Sequence, residues 1–274
     1  MTASLESERI AKRLARAGLC SRREAERWIE AGRVAVDGEV LAGPAVVVGP
    51  ESRITVDGKP LPAAEATRLW RYHKPKGLIC TARDEAGRST VFDALPANLP
   101  RVVSVGRLDI NSEGLLLLTN DGGLARRLEL PATGWARRYR VRVFGRPEPE
   151  QLAALAQGVT VEGVHYGPIE AALERQQGSN AWVSLLLREG KNREIRKVMD
   201  YLGLTVNRLI RISFGPFQLT DLESGAVREV PARVLADQIG TKPAGQKPQA
   251  PGNARTKPKT GCGRRHNRHA NRRR

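Results

Sequence analysis

The sequence predicts an α+β protein with a small N-terminal domain, a larger domain on a mostly antiparallel mixed sheet, and a disordered basic tail. Three observations predict it. From residue 68 to 239, many short apolar runs with strand periodicity are interrupted by helical stretches. Two Asp-Gly turns, Asp37-Gly38 and Asp57-Gly58, mark a compact hairpin module ahead of them. From Gly240 onward there are eleven Lys or Arg residues and no acid, in a stretch rich in Pro, Gly and Asn that can build no core.

At 274 residues the chain is long enough for two cores. The formal net charge of +17 points to a polyanionic partner. Only +6 of it lies on the first 239 residues, so the tail dominates the long-range field. Cys20, Cys80 and Cys262 are too few and too scattered for a disulfide framework. The first twenty residues lack an apolar secretory core, and no apolar run approaches the roughly 20 residues a membrane helix needs. The expectation is a soluble cytoplasmic protein with no membrane contact.

In chain order, Ile10, Leu14 and Ala17 recur at helical spacing, with Arg9, Lys12, Arg13 and Arg16 over the remaining surface. Ser21-Arg22-Arg23-Glu24 is a capping box opening a second helix to about Ala31, with Ala25, Trp28 and Ile29 on its apolar face. The hairpins Val34 to Leu41 and Ile54 to Leu61 follow. The basic helix faces, with Arg13, Arg22, Arg23 and Arg27, fit RNA phosphates, although a solvated charged face explains such arginines as well. This first domain spans residues 7–58. Lys59 to Thr67, rich in Pro and Ala, is the expected linker, and the second domain covers residues 68–239.

Trp70 to Cys80 is a strand broken at Lys74-Pro75-Lys76-Gly77, where proline removes a donor and glycine permits a sharp turn. Lys74 and Lys76 there are either phosphate contacts or ordinary exposed turn lysines. Next comes Gly106-Arg107-Leu108-Asp109-Ile110-Asn111-Ser112-Glu113-Gly114, a polar loop between the apolar runs Val102-Val103 and Leu115 to Leu118. Such a loop presents the Asp109 carboxylate from a rigid sheet; the plainer reading is an Asx turn in which Asp109 bonds its own backbone.

Asn120-Asp121-Gly122 caps a helix to about Glu129, which explains Asp121 structurally. From Arg137 to Gly145, Tyr139, Val141 and Val143 share one face and Arg138, Arg140 and Arg142 the other, as in a half-buried strand with Tyr139 in the core. A helix from about Glu148 to Ala156 and several strands lead to Trp182 to Arg188. In Arg188 to Met199, Asn192 is the expected cap of a helix that buries Ile195, Val198, Met199 and Leu202. Its basic start, with Lys191 and Arg193, suits phosphate. Arg196 is by default a surface i,i+4 partner. Thr205 to Phe214 and Phe217 to Leu222 are strands, with Leu209 at a core position, and Val227 to Val230 and a helix over Pro231 to Ile239 close the domain.

The stretch Gly106 to Gly122, Gly-Arg-Leu-Asp-Ile-Asn-Ser-Glu-Gly-Leu-Leu-Leu-Leu-Thr-Asn-Asp-Gly, resembles the catalytic motif of the RsuA/RluB family of ribosomal RNA pseudouridine synthases. The first domain is similar to the S4-type RNA-binding domain that this family often carries. The resemblance implies a pseudouridine synthase fold with its RNA in a basic cleft across the sheet, acting on ribosomal RNA as a monomer without cofactor or metal. It implies that Asp109 is the catalytic acid and that Arg107 helps hold the target nucleotide flipped out. It also gives Tyr139 a place stacked on the target base and as base for the last proton transfer. Arg196 would pair with the catalytic Asp, and Leu209 would pack against the flipped base. The long basic tail makes the chain most like the large-subunit RluB branch.

Two other classes remain open at this stage. A non-catalytic RNA-binding assembly factor would keep the basic faces and need no pairing of Asp109 with Arg196. A metal-dependent nuclease would enlist Asp109, Glu113 and Asp121. Cys262, His266 and His269 have no evident fourth partner, and no zinc site is expected there.

Overall fold

The computed structural model describes residues 7–240. The tail, with its expected disorder and its Cys262, His266 and His269, lies outside them.

In the N-terminal unit, helices α1 (Ile10–Arg16) and α2 (Arg22–Glu30) pack on four short strands, β1 (Val34–Val36), β2 (Glu39–Val40), β3 (Ile54–Val56) and β4 (Lys59–Pro60). Their spatial order is β2-β1-β3-β4. The Ser21 hydroxyl accepts the Glu24 N–H at 3.1 Å, one of the two bonds of the expected capping box. Asp37 and Gly38 have φ of 52° and 95°, and Asp57 and Gly58 of 51° and 75°. Both turns therefore twist with the strands they join. Ile10, Leu14, Ala25, Ile29, Val34 and Ile54 form the core, with Trp28 packed against it and Ala11 buried more deeply than Ala17.

Two expectations change here. Lys59 and Pro60, assigned to the linker by composition, pair with Val56 and Thr55. Proline is tolerated because β4 is an edge strand, where its missing N–H leaves no ladder bond unmade. Arg13 is not turned to solvent: its guanidinium donates to the Gly49 carbonyl at 2.8 Å and lies 3.2 Å from the Glu8 carboxylate. It ties the module together, whereas Arg22, Arg23 and Arg27 are exposed.

The second unit is built on one nine-stranded sheet. Its elements are β5 (Leu69–Lys74), β6 (Val103–Val105), β7 (Glu113–Thr119), α3 (Gly122–Glu129), β8 (Arg137–Phe144), α4 (Pro149–Ala154), β9 (Ile169–Gln177), β10 (Asn180–Leu187), α5 (Glu194–Tyr201), β11 (Thr205–Phe214), β12 (Phe217–Gln218), β13 (Val227–Glu229) and α6 (Ala232–Ile239). The strands run β9-β10-β8-β11-β7-β5-β13, with β6 paired to β7 and β12 to β11. The expected strand from Phe217 to Leu222 stops at Gln218, and Thr220 turns the chain at φ 49°.

Every pairing is antiparallel but one. β7 and β11 run parallel through Glu113 opposite Ile210 and Gly114 opposite Arg211. Gly114 has φ 105°, and a Cβ there would overlap the Arg211 carbonyl oxygen and come within 2.7 Å of the Arg211 nitrogen. The two halves of the sheet can join because this residue has no side chain.

The run Leu115 to Leu118 is wholly buried because both faces of β7 are covered. One face carries Tyr72, Leu116, Leu118, Tyr139, Val141 and Leu185 beneath α4 and α5. The other carries Leu69, Leu115, Leu117 and Phe214 beneath α3 and α6. Asp121 caps α3 as expected, accepting the Gly123 and Leu124 N–H groups.

Candidate active site

Asp109 lies on the loop between β6 and β7, and main-chain and buried contacts hold that loop still. The Ser112 N–H donates to the Asp109 carbonyl at 2.9 Å, and the Gly77 N–H to the Ile110 carbonyl at 2.8 Å. Lys74 supplies the rest. Its side chain is 0 % exposed, and its ammonium donates to the carbonyls of Pro75 (3.0 Å), Asp109 (3.2 Å) and Ser112 (2.9 Å). Burial lowers its pKa, against the stabilising charges of Cys80, Asp109 and Glu113. Lys74 is therefore no phosphate contact. It holds the loop, because a lysine ending a buried strand finds three bare carbonyls within reach and is closed off from solvent.

Lys76 is half exposed. Its ammonium lies 3.8 Å from Glu113 and 3.5 Å from the Asn207 carbonyl, and it does not line the cleft.

The Asx-turn alternative fails on geometry, since the turn closes through the Asp109 main chain. Among the described residues the Asp109 carboxylate accepts no hydrogen bond, and it is 37 % exposed. It faces a cleft of about 620 Å³ together with Arg107, Tyr139, Arg193, Arg196 and Leu209. Tyr139 and Leu209 reach the cleft because β8 and β11 turn their odd-numbered residues toward it: Tyr139 stands opposite Arg211, and Val141 opposite Leu209. Arg107 is exposed at the rim.

The arginine partners differ from expectation. Arg196 donates to the carbonyls of Asn111 (2.9 Å) and Val206 (3.2 Å) rather than forking onto Asp109. Burial lowers its pKa and neighbouring Arg193 lowers it further, while Asp109 opposes both. The cation closest to the carboxylate is Arg193, at 3.9 Å from Oδ2. Arg193 is also the N-cap of α5, with φ 49°, in place of the expected Asn192. No side chain caps α5: the Glu194 N–H donates to the Lys191 carbonyl at 3.3 Å, and the Glu194 carboxyl accepts the Lys191 N–H at 2.9 Å. Lys191 lines the cleft, but its ammonium is held by Glu189 and the His165 carbonyl, each at 2.7 Å.

Among the charged residues of the cleft wall that sequence reasoning missed are Arg211, Arg137 and Glu194. Arg211 is 3 % exposed, donates to the Leu115 carbonyl at 2.7 Å and lies 5.1 Å from the Phe214 ring centre. Arg137 lies 5.0 Å from the same ring and donates to the Arg188 carbonyl at 2.9 Å. Burial lowers its pKa. Glu194 is 3 % exposed, and burial, reinforced by Glu189, pushes its carboxyl up to about 7 against the Lys191 N–H. A signal for the two arginines was present: both occupy inward positions of alternating strands, Arg137 in step with Tyr139 and Arg211 in step with Leu209.

Asp109, Glu113 and Asp121 do not converge. Glu113 is clasped by Arg208 at 2.7 and 3.0 Å, and Asp121 caps α3. Among the described residues, no three His, Cys, Asp or Glu side chains group as metal ligands. No described helix is long and apolar enough to cross a membrane.

Residues 68–201 match the RNA pseudouridylate synthase family model, and residues 8–54 match the S4 domain model. A Rickettsia felis protein named as an uncharacterized RNA pseudouridine synthase is 46 % identical over 228 residues, 83 % of this chain and 99 % of that protein. The ribosomal large subunit pseudouridine synthase B of Salmonella typhimurium is 43 % identical over 219 residues, 78 % of this chain and 75 % of its own length. A crystal structure of a pseudouridylate synthase superposes with a TM-score of 0.59 at 27 % identity, over 84 % of this chain and 99 % of that one. With an S4 match followed by a synthase match, and with relatives 43–46 % identical over most of its length, the chain belongs to the RNA pseudouridine synthase family.

Proposed function

We propose that this enzyme converts a uridine of large-subunit ribosomal RNA to pseudouridine in the cytoplasm, as a monomer, with Asp109 as the group that acts on the sugar. The observation that carries the reading is the cleft, which gathers Asp109, Tyr139 and Leu209 from loop and sheet around one void. The name of the Salmonella relative supports the large-subunit target.

In the reaction the N1–C1′ bond of uridine breaks, a C5–C1′ bond forms, the C5 proton is lost and N1 gains one. The nucleotide must leave its stack, at a cost of a few kcal/mol that favours loops and bulges. Arg107, exposed at the rim, fills the place the base vacates. Leu209 and Tyr139 form the apolar and aromatic wall for the base, and Tyr139 receives the C5 proton. Asp109 either attacks C1′ or removes a neighbouring sugar proton. Arg193 is the cation nearest that carboxylate, at 3.9 Å, and Arg196 holds the loop through the Asn111 carbonyl. Arg22, Arg23 and Arg27 engage RNA flanking the target, and the tail adds affinity that falls with salt.

The deciding experiment is tritium release from an unmodified large-subunit ribosomal RNA transcript labelled at C5 of uridine. Wild type releases tritium and Asp109→Asn does not. Release by both refutes the role of Asp109, and release by wild type from small-subunit RNA instead refutes the proposed target.

A further inference from the structure

The reverse of the sheet carries a second surface that the cleft does not use. α3 and α6 cover that side over β5 and β7, while the outward residues of β8, β9 and β10 remain open. Register places three of them in one line with Arg208 of β11, across four strands. Arg175 of β9 stands opposite Trp182 of β10, Trp182 opposite Arg142 of β8, and Arg142 opposite Arg208 of β11. At about 4.8 Å between strands the row is about 14 Å long.

Arg138 and Arg140 flank it on the same outward parity of β8. All five arginines are exposed. The Arg140 guanidinium lies 4.5 Å from the centre of the Trp182 ring while bonding Glu174 at 2.7 Å. Arg208 is committed to Glu113. Among the described residues Arg138, Arg142 and Arg175 make no ion pair.

We propose that this reverse face is a second RNA-binding surface, which holds a segment of the substrate RNA away from the target nucleotide. The proposal rests on the reading that RNA is the substrate. The chemistry favours RNA over an acidic protein surface because charge and aromatic surface alternate. Arg138, Arg142 and Arg175 meet backbone phosphates, and the exposed Arg140 guanidinium over the Trp182 indole offers cationic and aromatic surface to a base. Nothing on this face touches the reacting uridine, since Tyr139 and Leu209 have the opposite parity.

The test compares full-length wild type with R138Q/R142Q/R175Q for binding to the unmodified large-subunit transcript across a salt series, with tritium release measured in parallel. Three lost phosphate contacts should weaken binding about tenfold at physiological salt and flatten the plot of log affinity against log salt by about two. Release at saturating RNA should be unchanged. R138K/R142K/R175K should keep the wild-type slope, which separates charge from folding.

Wild-type affinity and slope in the Gln variant overturn the proposal, as does a flattened slope in the Lys variant. Binding to an acidic protein with RNA affinity unaltered overturns it too. If wild type releases no tritium, the functional reading fails on its own, and the binding comparison still decides the face.

Discussion

Replacing Lys74 with Met tests how the Asp109 loop is held. The substitution keeps the length of the side chain and removes its ammonium. The carbonyls of Pro75, Asp109 and Ser112 then lose donors now at 2.9 to 3.2 Å in a site that is 0 % exposed. Hydrogen bonds to a charged group are each worth about 1.5–3 kcal/mol. Against that, Met avoids the several kcal/mol needed to strip an ammonium of water. The balance is a net loss of about 2–4 kcal/mol in unfolding free energy. The effect on chemistry should be larger than stability alone implies, because two of the three carbonyls flank the Asp109 carboxylate. A displacement of about 1 Å at a reacting group costs on the order of a hundredfold in rate. Urea unfolding and tritium release at saturating RNA, both at a temperature where the variant remains folded, measure the two effects. Stability within roughly 0.5 kcal/mol of wild type, with full release, would refute this account of Lys74.

Four further outcomes are expected. Glu194 titrates near 7 when folded against an ordinary 4.5, so the folded state resists ionisation. Its cost to stability develops between those pH values and is constant above them; Glu194→Gln should therefore gain roughly 2–3 kcal/mol more at pH 8 than at pH 4 in urea titrations. Gly114→Ala forces a Cβ against the Arg211 backbone at φ 105°, and should lower unfolding free energy by more than about 3 kcal/mol or leave the protein insoluble. Asp109→Asn should unfold at the wild-type urea midpoint, because the carboxylate accepts no hydrogen bond among the described residues and its closest cation is 3.9 Å away. Deleting residues 240–274 removes eleven positive charges and should flatten the salt dependence of RNA binding while leaving release at saturating RNA unchanged; an unaltered slope would give the tail another purpose.

Strand parity was the most informative feature of the sequence. The alternation from Arg137 to Phe144 placed Tyr139 inward, and the structure turns that side to both core and cleft. The Asp-Gly turns and the Ser21 and Asp121 caps were equally readable, since each depends on two to four adjacent residues. What could not be read depends on partners far along the chain. The burial of Lys74 rests on carbonyls 35 and 38 residues later, and that of Arg13 on Gly49. A charged side chain looks solvated until its acceptors are known. The α5 start misled as well: Asn192 is a good capping residue, but the chain turns at Arg193 and the Lys191 carbonyl takes the Glu194 N–H.

The parallel join between β7 and β11 also says something about when the enzyme becomes one. Asp109 comes from the chain before β7, whereas Tyr139 and Leu209 come from the strands beyond it, and the seam at Gly114 and Arg211 brings the two groups together. Each side has its own antiparallel pairings and can zip from near neighbours, but the seam closes a loop of about a hundred residues. Assembly of the site is thus the slow, non-local event of folding. On the proposed function neither half alone would carry the chemistry, so a chain whose seam has not closed should be inert toward uridine.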